Sequence, residues 1–241
     1  MRPDARFSAA DILSAWRGGV VVSCQAPEGS PLRQPGIMAA MAQAAALAGA
    51  VGIRANGPAD VAAIRAVVDL PVVGIDKRSD IDPVVYITPT LSSVAALVEA
   101  GADLVAIDAT LRPRNGNGAQ NAAALISQIR GAFPGLPIMA DVSNTIEGVA
   151  AAVAGVDIVA TTLSGYTGGG APGDGPDLDL IAALVAAQDR PVVAEGRFAT
   201  PAQVVAAFEV GAHAVVVGTA ITDTLALARK FVGAGRGRTV K

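Results

Sequence analysis

The sequence predicts a closed parallel α/β barrel, the (β/α)8 or TIM-barrel class, on three observations. Short β-branched runs alternate with alanine-rich helical stretches, the order that lays parallel strands under covering helices. The transitions "AGADLVAID", "AGVDIVATT" and "VGAHAVVVG" repeat one helix-to-strand step, with a rhythm of roughly 25 to 40 residues. The chain has 241 residues, 52% of them hydrophobic and only 3% aromatic, which suits one barrel with a core of Val, Ile, Leu and Ala. An open doubly wound sheet shares this rhythm, but eight strands with helices after nearly all of them favour closure. Residues 1–241 are therefore expected to form one barrel domain, with an N-terminal helix and a short disordered tail at 235–241.

In chain order, Leu13 and Trp16 pin the first helix across the barrel floor. The strand candidates are VVVSC (20–24), AVGIRAN (50–56), PVVGIDK (71–77), DLVAIDAT (103–110), PIMADVS (137–143), DIVATTLSG (157–165), PVVAEGR (191–197) and AVVVGTA (214–220). A ninth run, VVYIT (84–88), follows PVVGIDK too closely for a crossover helix between parallel neighbours. It reads as an excursion leading into a helix that starts near Leu91. Helices are expected over PADVAAIRAVVD, LSSVAALVEAGA, TIEGVAAAVAGV and TPAQVVAAFEVGA, which open on capping or Pro-type residues; three of them close on Gly-Ala or Gly-Val.

Composition removes several function classes. The net charge is −3 and no stretch concentrates Lys and Arg, so the electrostatic footprint of a nucleic-acid binder is missing. Cys24 is the only cysteine and His213 the only histidine, which argues against an internal disulfide, a zinc cluster and a Ser-His-Asp triad. Cys24 reads as a small buried residue. His213, between Gly-Ala and an apolar strand, belongs at the barrel floor. The N-terminus carries charges where a signal peptide needs an apolar core, and no segment reaches membrane-span length free of charge or glycine. A cytoplasmic protein without membrane or nucleic-acid partners is expected.

In a barrel, function gathers where strand C-termini and the following loops converge. The ends of the predicted strands supply Gln25, Arg54, Asn56, Lys77, Arg78, Asp108, Asp141, Thr162, Ser164, Glu195, Arg197, Gly218 and Thr219. A lone strand-end aspartate is as readily a structural ion pair, and a lone Lys77 between Asp76 and Arg78 a solvated side chain. The opposite strand ends open on turns such as LPV and RPV without concentrated charge, and this asymmetry marks the C-terminal rim as the site. The last two strands end in "EGR" (195–197) and "VGTAI" (217–221), with glycines that let backbone N–H groups close on a ligand. A short helix after Gly218 would aim at the same spot, favouring a phosphorylated small substrate.

The motifs "GGVVVSCQA", "AVGIRANG", "VVGIDKR", "YITPT", "VAIDAT", "MADVS", "TTLSGYT", "PVVAEGR" and "GAHAVVVGTAIT" together resemble, in order from about Gly18 to Phe231, the N-acylglucosamine-6-phosphate 2-epimerases, also called N-acetylmannosamine-6-phosphate 2-epimerases. The resemblance implies a phosphate-binding (β/α)8 barrel that interconverts N-acetylmannosamine 6-phosphate and N-acetylglucosamine 6-phosphate in amino-sugar and sialic acid breakdown. It implies no metal or organic cofactor, and a homodimer. Lys77 and Glu195 would perform the proton transfers; Gln25, Arg54 and Asp141 would hold the sugar and the catalytic pair; the strand-end reading adds Gly196, Arg197, Gly218 and Thr219 as substrate-binding residues. A lysine crowded by Arg54 or Arg78 in a closed pocket should have a lowered pKa. Alternatives are another isomerase, aldolase or synthase on a phosphate-binding barrel, and a non-catalytic sugar-phosphate binder.

Two features depart from the family pattern. Asp223 follows "AIT" where many members carry a basic residue, so Arg197 or Arg229 would have to compensate. The loop GGGAPGDGPD (168–177) reads as a flexible lid or linker. The apolar stretch ITDTLALARKFVGA either packs at a dimer interface or closes the barrel.

Overall fold

The computed structural model describes residues 6–114, 119–168 and 173–236. The order is α1 (Ala9–Trp16), β1 (Val20–Cys24), α2 (Pro35–Leu47), β2 (Gly52–Asn56), α3 (Pro58–Arg65), β3 (Val72–Ile75), α4 (Leu91–Glu99), β4 (Leu104–Asp108) and α5 (Ala122–Ala132). It continues with β5 (Ile138–Asp141), α6 (Thr145–Val153), β6 (Ile158–Ala160), α7 (Leu178–Ala187), β7 (Val192–Glu195), α8 (Pro201–Glu209), β8 (Ala214–Val217), α9 (Thr219–Thr222) and α10 (Thr224–Arg236). The strands pair in parallel and in sequence order, and β8 closes on β1 through Val20↔Val215 to Val22↔Val217. This is the predicted (β/α)8 barrel.

Strand alternation divides the apolar side chains into two layers. Val21, Val73, Leu104, Met139, Ile158 and Val193 fill the barrel interior, while Val22, Ile53, Val105, Ile107 and Val159 face the helices. From below, α1 plugs the barrel with Ile12 and Trp16, both fully buried. The indole fits because β2 begins with glycine: a Cβ on Gly52 would lie 2.6 Å from Trp16 Nε1. His213 is at this floor, its Nε2 2.7 Å from the Leu13 carbonyl oxygen. Both floor expectations hold.

Most strands are shorter than their apolar runs because the backbone turns before the apolar sequence ends. DIVATTLSG forms a strand only over Ile158–Ala160. Beyond it the Thr161 side chain does a ladder's work, its hydroxyl donating to the Glu195 carbonyl at 2.9 Å and accepting from the Glu195 N–H at 3.0 Å. VVYIT is not a strand, as expected; it makes one antiparallel bridge, Lys77↔Ile87, before α4 begins at Leu91. The tail needs a correction at its start: α10 runs to Arg236, so residues 235 and 236 are its last helical residues. Residues 237–241 of the expected tail, and 169–172 of the expected lid, lie outside the described residues.

Candidate active site

The C-terminal mouth of the barrel opens into a cavity of about 1000 Å³. Of the residues expected at the site, Gln25, Arg54, Lys77, Glu195, Gly196, Arg197, Gly218 and Thr219 line it. Asp141 is fully buried just beneath, held by Arg54.

Arg54, on β2, organises this floor. Its Nη1 and Nη2 donate to the two Asp141 carboxylate oxygens at 3.1 and 2.6 Å, and Nη1 also lies 3.1 Å from Glu195 Oε2. Its side chain is 1% exposed, so burial alone would lower its pKa; the charges of Asp141 and Glu195 outweigh that and hold it firmly cationic. The Thr162 hydroxyl sits between the carboxylates, 2.7 Å from Asp141 Oδ1 and 3.1 Å from Glu195 Oε2. A hydroxyl has one proton to donate, so it cannot donate to both at once. Burial drives the Glu195 carboxyl up to about 7, with Arg54 opposing and Asp141 adding to the rise. Its carboxyl is therefore held above the usual glutamate range.

Lys77 lies two residues past the end of β3, exposed to the solvent of the cavity. Enclosure by the cavity walls, and next the Arg54 charge, pull its ammonium below the usual lysine range, while Glu195 and Asp141 oppose the shift. Of the two arginines considered from the sequence, Arg54 is the one that acts on Lys77. Arg78 turns outward and pairs with Asp80 at 2.8 Å. The Lys77 backbone N–H donates to Asn56 Oδ1 at 3.0 Å, which gives the β2 asparagine a structural task.

Gln25 donates from Nε2 to the Ser23 hydroxyl at 2.7 Å, leaving Oε1 buried without a hydrogen-bond partner. A buried acceptor left in this way is costly, and here it borders the cavity. Gly196 has φ +114°, in the range that favours glycine, and Gly218 precedes α9, the short helix expected from the sequence. A Cβ on Gly218 would meet Ser23 Cβ at 3.2 Å. Arg197 lines the same end, but its guanidinium donates to the Gly175 carbonyl at 2.7 Å and to the Ser164 carbonyl, and lies over Tyr166. Asp108 is buried behind the rim and held by Thr110 and Arg112. Ser164 donates to Asp177, the N-cap of α7. Cys24 is buried and its thiol is pushed up to about 12, chiefly by that burial.

Asp223 has a local explanation. Its Oδ1 accepts from the Ala226 N–H at 2.9 Å and its carbonyl from the Leu227 N–H at 3.0 Å, so it caps α10. The same helix face carries Asp223, Ala226, Leu227 and Lys230 into the cavity wall. The cation that α10 brings to the cavity is therefore Lys230, not its neighbour Arg229. The 3,4,7 spacing from Asp223 could have identified it. Arg33, from the β1–α2 loop, and Tyr86, from the excursion, also line the cavity and were not anticipated. Among the described residues, no group of three or more His, Cys, Asp or Glu could hold a metal ion. No helix of the described residues is long and apolar enough to cross a membrane.

Fold and site define a (β/α)8 barrel of the enzyme kind, with a half-buried acid held above the usual glutamate range beside a cavity-facing amine. The family described as "Putative N-acetylmannosamine-6-phosphate epimerase" matches residues 38–236, and the chain belongs to it. It is 46% identical over 222 residues to a protein of Caldanaerobacter subterraneus subsp. tengcongensis named "Putative N-acetylmannosamine-6-phosphate 2-epimerase", covering 92% of this chain and 93% of the relative. A Cutibacterium acnes protein of the same name is 47% identical over 222 residues, covering 91% and 95%. Among solved structures, the N-acetylmannosamine-6-phosphate 2-epimerase from Clostridium perfringens superposes with a TM-score of 0.86 at 39% identity, covering 92% of this chain and 96% of that one. A GGGPS from Thermoplasma volcanium, at 14% identity and TM-score 0.60 over 97% of this chain and 99% of that one, shares the fold alone.

Proposed function

We propose that this protein is an N-acylglucosamine-6-phosphate 2-epimerase that interconverts N-acetylmannosamine 6-phosphate and N-acetylglucosamine 6-phosphate, in amino-sugar and sialic acid catabolism. The observation that carries the reading is the pair at the mouth: Lys77 with a lowered pKa and Glu195 with a raised one, in one cavity beside Arg54.

The reaction inverts C2 of the open-chain aldose, whose C2–H is acidified by the adjacent C1 carbonyl. In this reading Lys77, as the free amine, takes the C2 proton, and the electron pair moves into an enolate whose negative charge develops on O1. Glu195, in its acid form, donates a hydrogen bond to that oxygen as the charge develops, then gives its proton to C2 from the opposite face as the C1 carbonyl re-forms, which leaves Lys77 protonated and Glu195 ionised. In the reverse direction the two groups exchange roles, and proton exchange with solvent resets the pair. Arg54 and Asp141 hold Glu195 in place, and the unpartnered Gln25 Oε1 is free to accept from a sugar hydroxyl or the N-acetyl N–H. Burial of the acid makes its bond to the developing oxyanion stronger than it would be in water.

The phosphate would lie at the ends of β7 and β8, on the backbone of Gly196, Gly218 and Thr219, with Lys230 supplying charge and Arg197 shaping the wall through its backbone carbonyl contacts. Replacing Lys230 by Gln should raise KM for the phosphorylated sugar about tenfold, the loss of one charge-assisted contact, and leave kcat nearly unchanged. Steady-state kinetics on the phosphorylated and unphosphorylated sugars checks this; equal effects on both would move the phosphate elsewhere. The proposed function itself is tested by incubating purified protein with N-acetylmannosamine 6-phosphate and separating the epimers by chromatography.

The same reading makes the protein a cytoplasmic homodimer. A phosphorylated sugar is too polar to cross a bilayer unaided and is held inside the cell. On α10, Phe231 is 75% exposed and Val232 53% exposed, an apolar face that suits a second copy. Light scattering should give twice the chain mass, and Phe231→Glu should give a monomer; a monomeric parent protein would rule out the dimer.

A further inference from the structure

Thr88 is the residue whose conformation needs most explanation. It is β-branched and fully buried, yet its φ is +48°, in the left-handed region that disfavours such side chains. Held strain of this kind tends to accompany a functional constraint.

Its contacts show what the conformation gives. The β3–β4 ladder pairs only Val73↔Leu104 and Gly74↔Val105. Beyond it the excursion inserts between the two strands: the Asp108 N–H donates to the Ile87 carbonyl at 3.0 Å, and the Thr88 hydroxyl donates to the Ala106 carbonyl at 2.7 Å. On its other side Thr88 grips Asp76 twice. The Asp76 N–H donates to the Thr88 hydroxyl at 3.1 Å, and the Thr88 N–H donates to the Asp76 carbonyl at 2.8 Å. Lys77 is the next residue and bridges to Ile87.

We propose that Thr88 is the positioning residue for Lys77: through the Asp76 peptide it ties the segment carrying the lysine to β4, where the ladder has ended. The role rests on the reading of Lys77 given above. Lys77 lies two residues past the end of β3; Asn56 holds its backbone from the β2 side and Ile87 bridges to it, and the Thr88 hydroxyl is the side-chain link that ties the segment to β4. The hydroxyl is what the position requires, because it is both donor and acceptor in one buried spot. A glycine would accept the backbone angle at no cost but could not bridge Asp76 to Ala106.

Three variants test this. Thr88→Val keeps the shape without the hydroxyl, Thr88→Gly removes both hydroxyl and strain, and Thr88→Ser keeps the hydroxyl. Both hydroxyl-free variants should lose kcat by about tenfold to a hundredfold with KM within about twofold, since a misplacement near 1 Å is worth that much. Thr88→Ser should restore kcat to within about threefold of the parent. Reactivity of Lys77 toward acetic anhydride at pH 7, read by peptide mass spectrometry, should fall several-fold in the Val and Gly variants and recover in Ser. This second readout needs no turnover, so it still decides the positioning role if the parent protein fails to epimerise, a result that would remove only the proposed function. Should Thr88→Val fail to fold, the strain-free Gly variant decides. Parent-like kcat and Lys77 reactivity in a folded hydroxyl-free variant would overturn the proposal.

Discussion

Lys77→Ala should lose epimerisation by roughly 10² to 10⁴-fold, the usual worth of a positioned proton-transfer group, while remaining folded. Lys77 lies in a loop and packs no part of the barrel core, so its removal has no route to large destabilisation. Nor does it support another side chain: its backbone N–H donates to Asn56 and its backbone bridges to Ile87, and alanine preserves both. The loss should appear in kcat more than in KM, because the amine acts on a hydrogen transferred only in the reaction. Lys77→Arg is the stringent control. A guanidinium keeps the charge but stays protonated in proteins, so it should fail almost as badly as alanine. Recovery of activity in the arginine variant would mean that position 77 needs only a cation, and that the base is elsewhere.

Arg54→Met should be the most damaging substitution to stability. Arg54 is the shared cation of Asp141 and Glu195, and its removal leaves two carboxylates around one Thr162 hydroxyl. Breaking a buried pair from one side costs about 3 to 5 kcal/mol. The loss should depend on pH in a fixed direction. In the parent protein burial already raises Glu195 from 4.5 to about 7, and Arg54 opposes that rise, so without Arg54 the folded-state pKa goes higher still. A carboxyl whose folded pKa exceeds its unfolded one contributes stability that is full below the unfolded pKa and is lost as pH rises through the folded value. The deficit of Arg54→Met should therefore be largest at pH 8 and smaller at pH 5.5, by urea denaturation. A deficit independent of pH would show that lost packing, not exposed like charge, accounts for it.

Much of this site could be read from the sequence because a parallel barrel converts strand ends into a ring. Glu195 ends β7 in "PVVAEGR", and Arg54 lies within "GIRAN" on β2, so apolar runs interrupted by charge pointed directly to the floor of the cavity. Such a pattern does not encode partnership. That Arg54 serves Asp141 and Glu195 together, that Thr162 stands between the carboxylates, and that Arg197 is occupied by the Ser164 and Gly175 carbonyls are consequences of closure, which brings together residues far apart in the chain. The excursion shows the limit most clearly. Its run VVYIT was correctly set aside as a strand by spacing alone, but nothing in the letters gives Thr88 a left-handed backbone or connects it to Lys77. Lys230 was missed for another reason: Arg197 and Arg229 were the expected compensating charges, whereas an amphipathic helix repeats its cavity face seven residues after Asp223.

The most direct measurement is proton NMR of the purified protein with N-acetylmannosamine 6-phosphate in D2O. The account predicts growth of the gluco epimer carrying deuterium at C2, because the proton that Lys77 removes is replaced by one from Glu195, which exchanges with solvent. Conversion with full retention of hydrogen at C2 would contradict solvent-exchanging proton transfer by Lys77, and neither conversion nor exchange would remove the epimerase reading altogether.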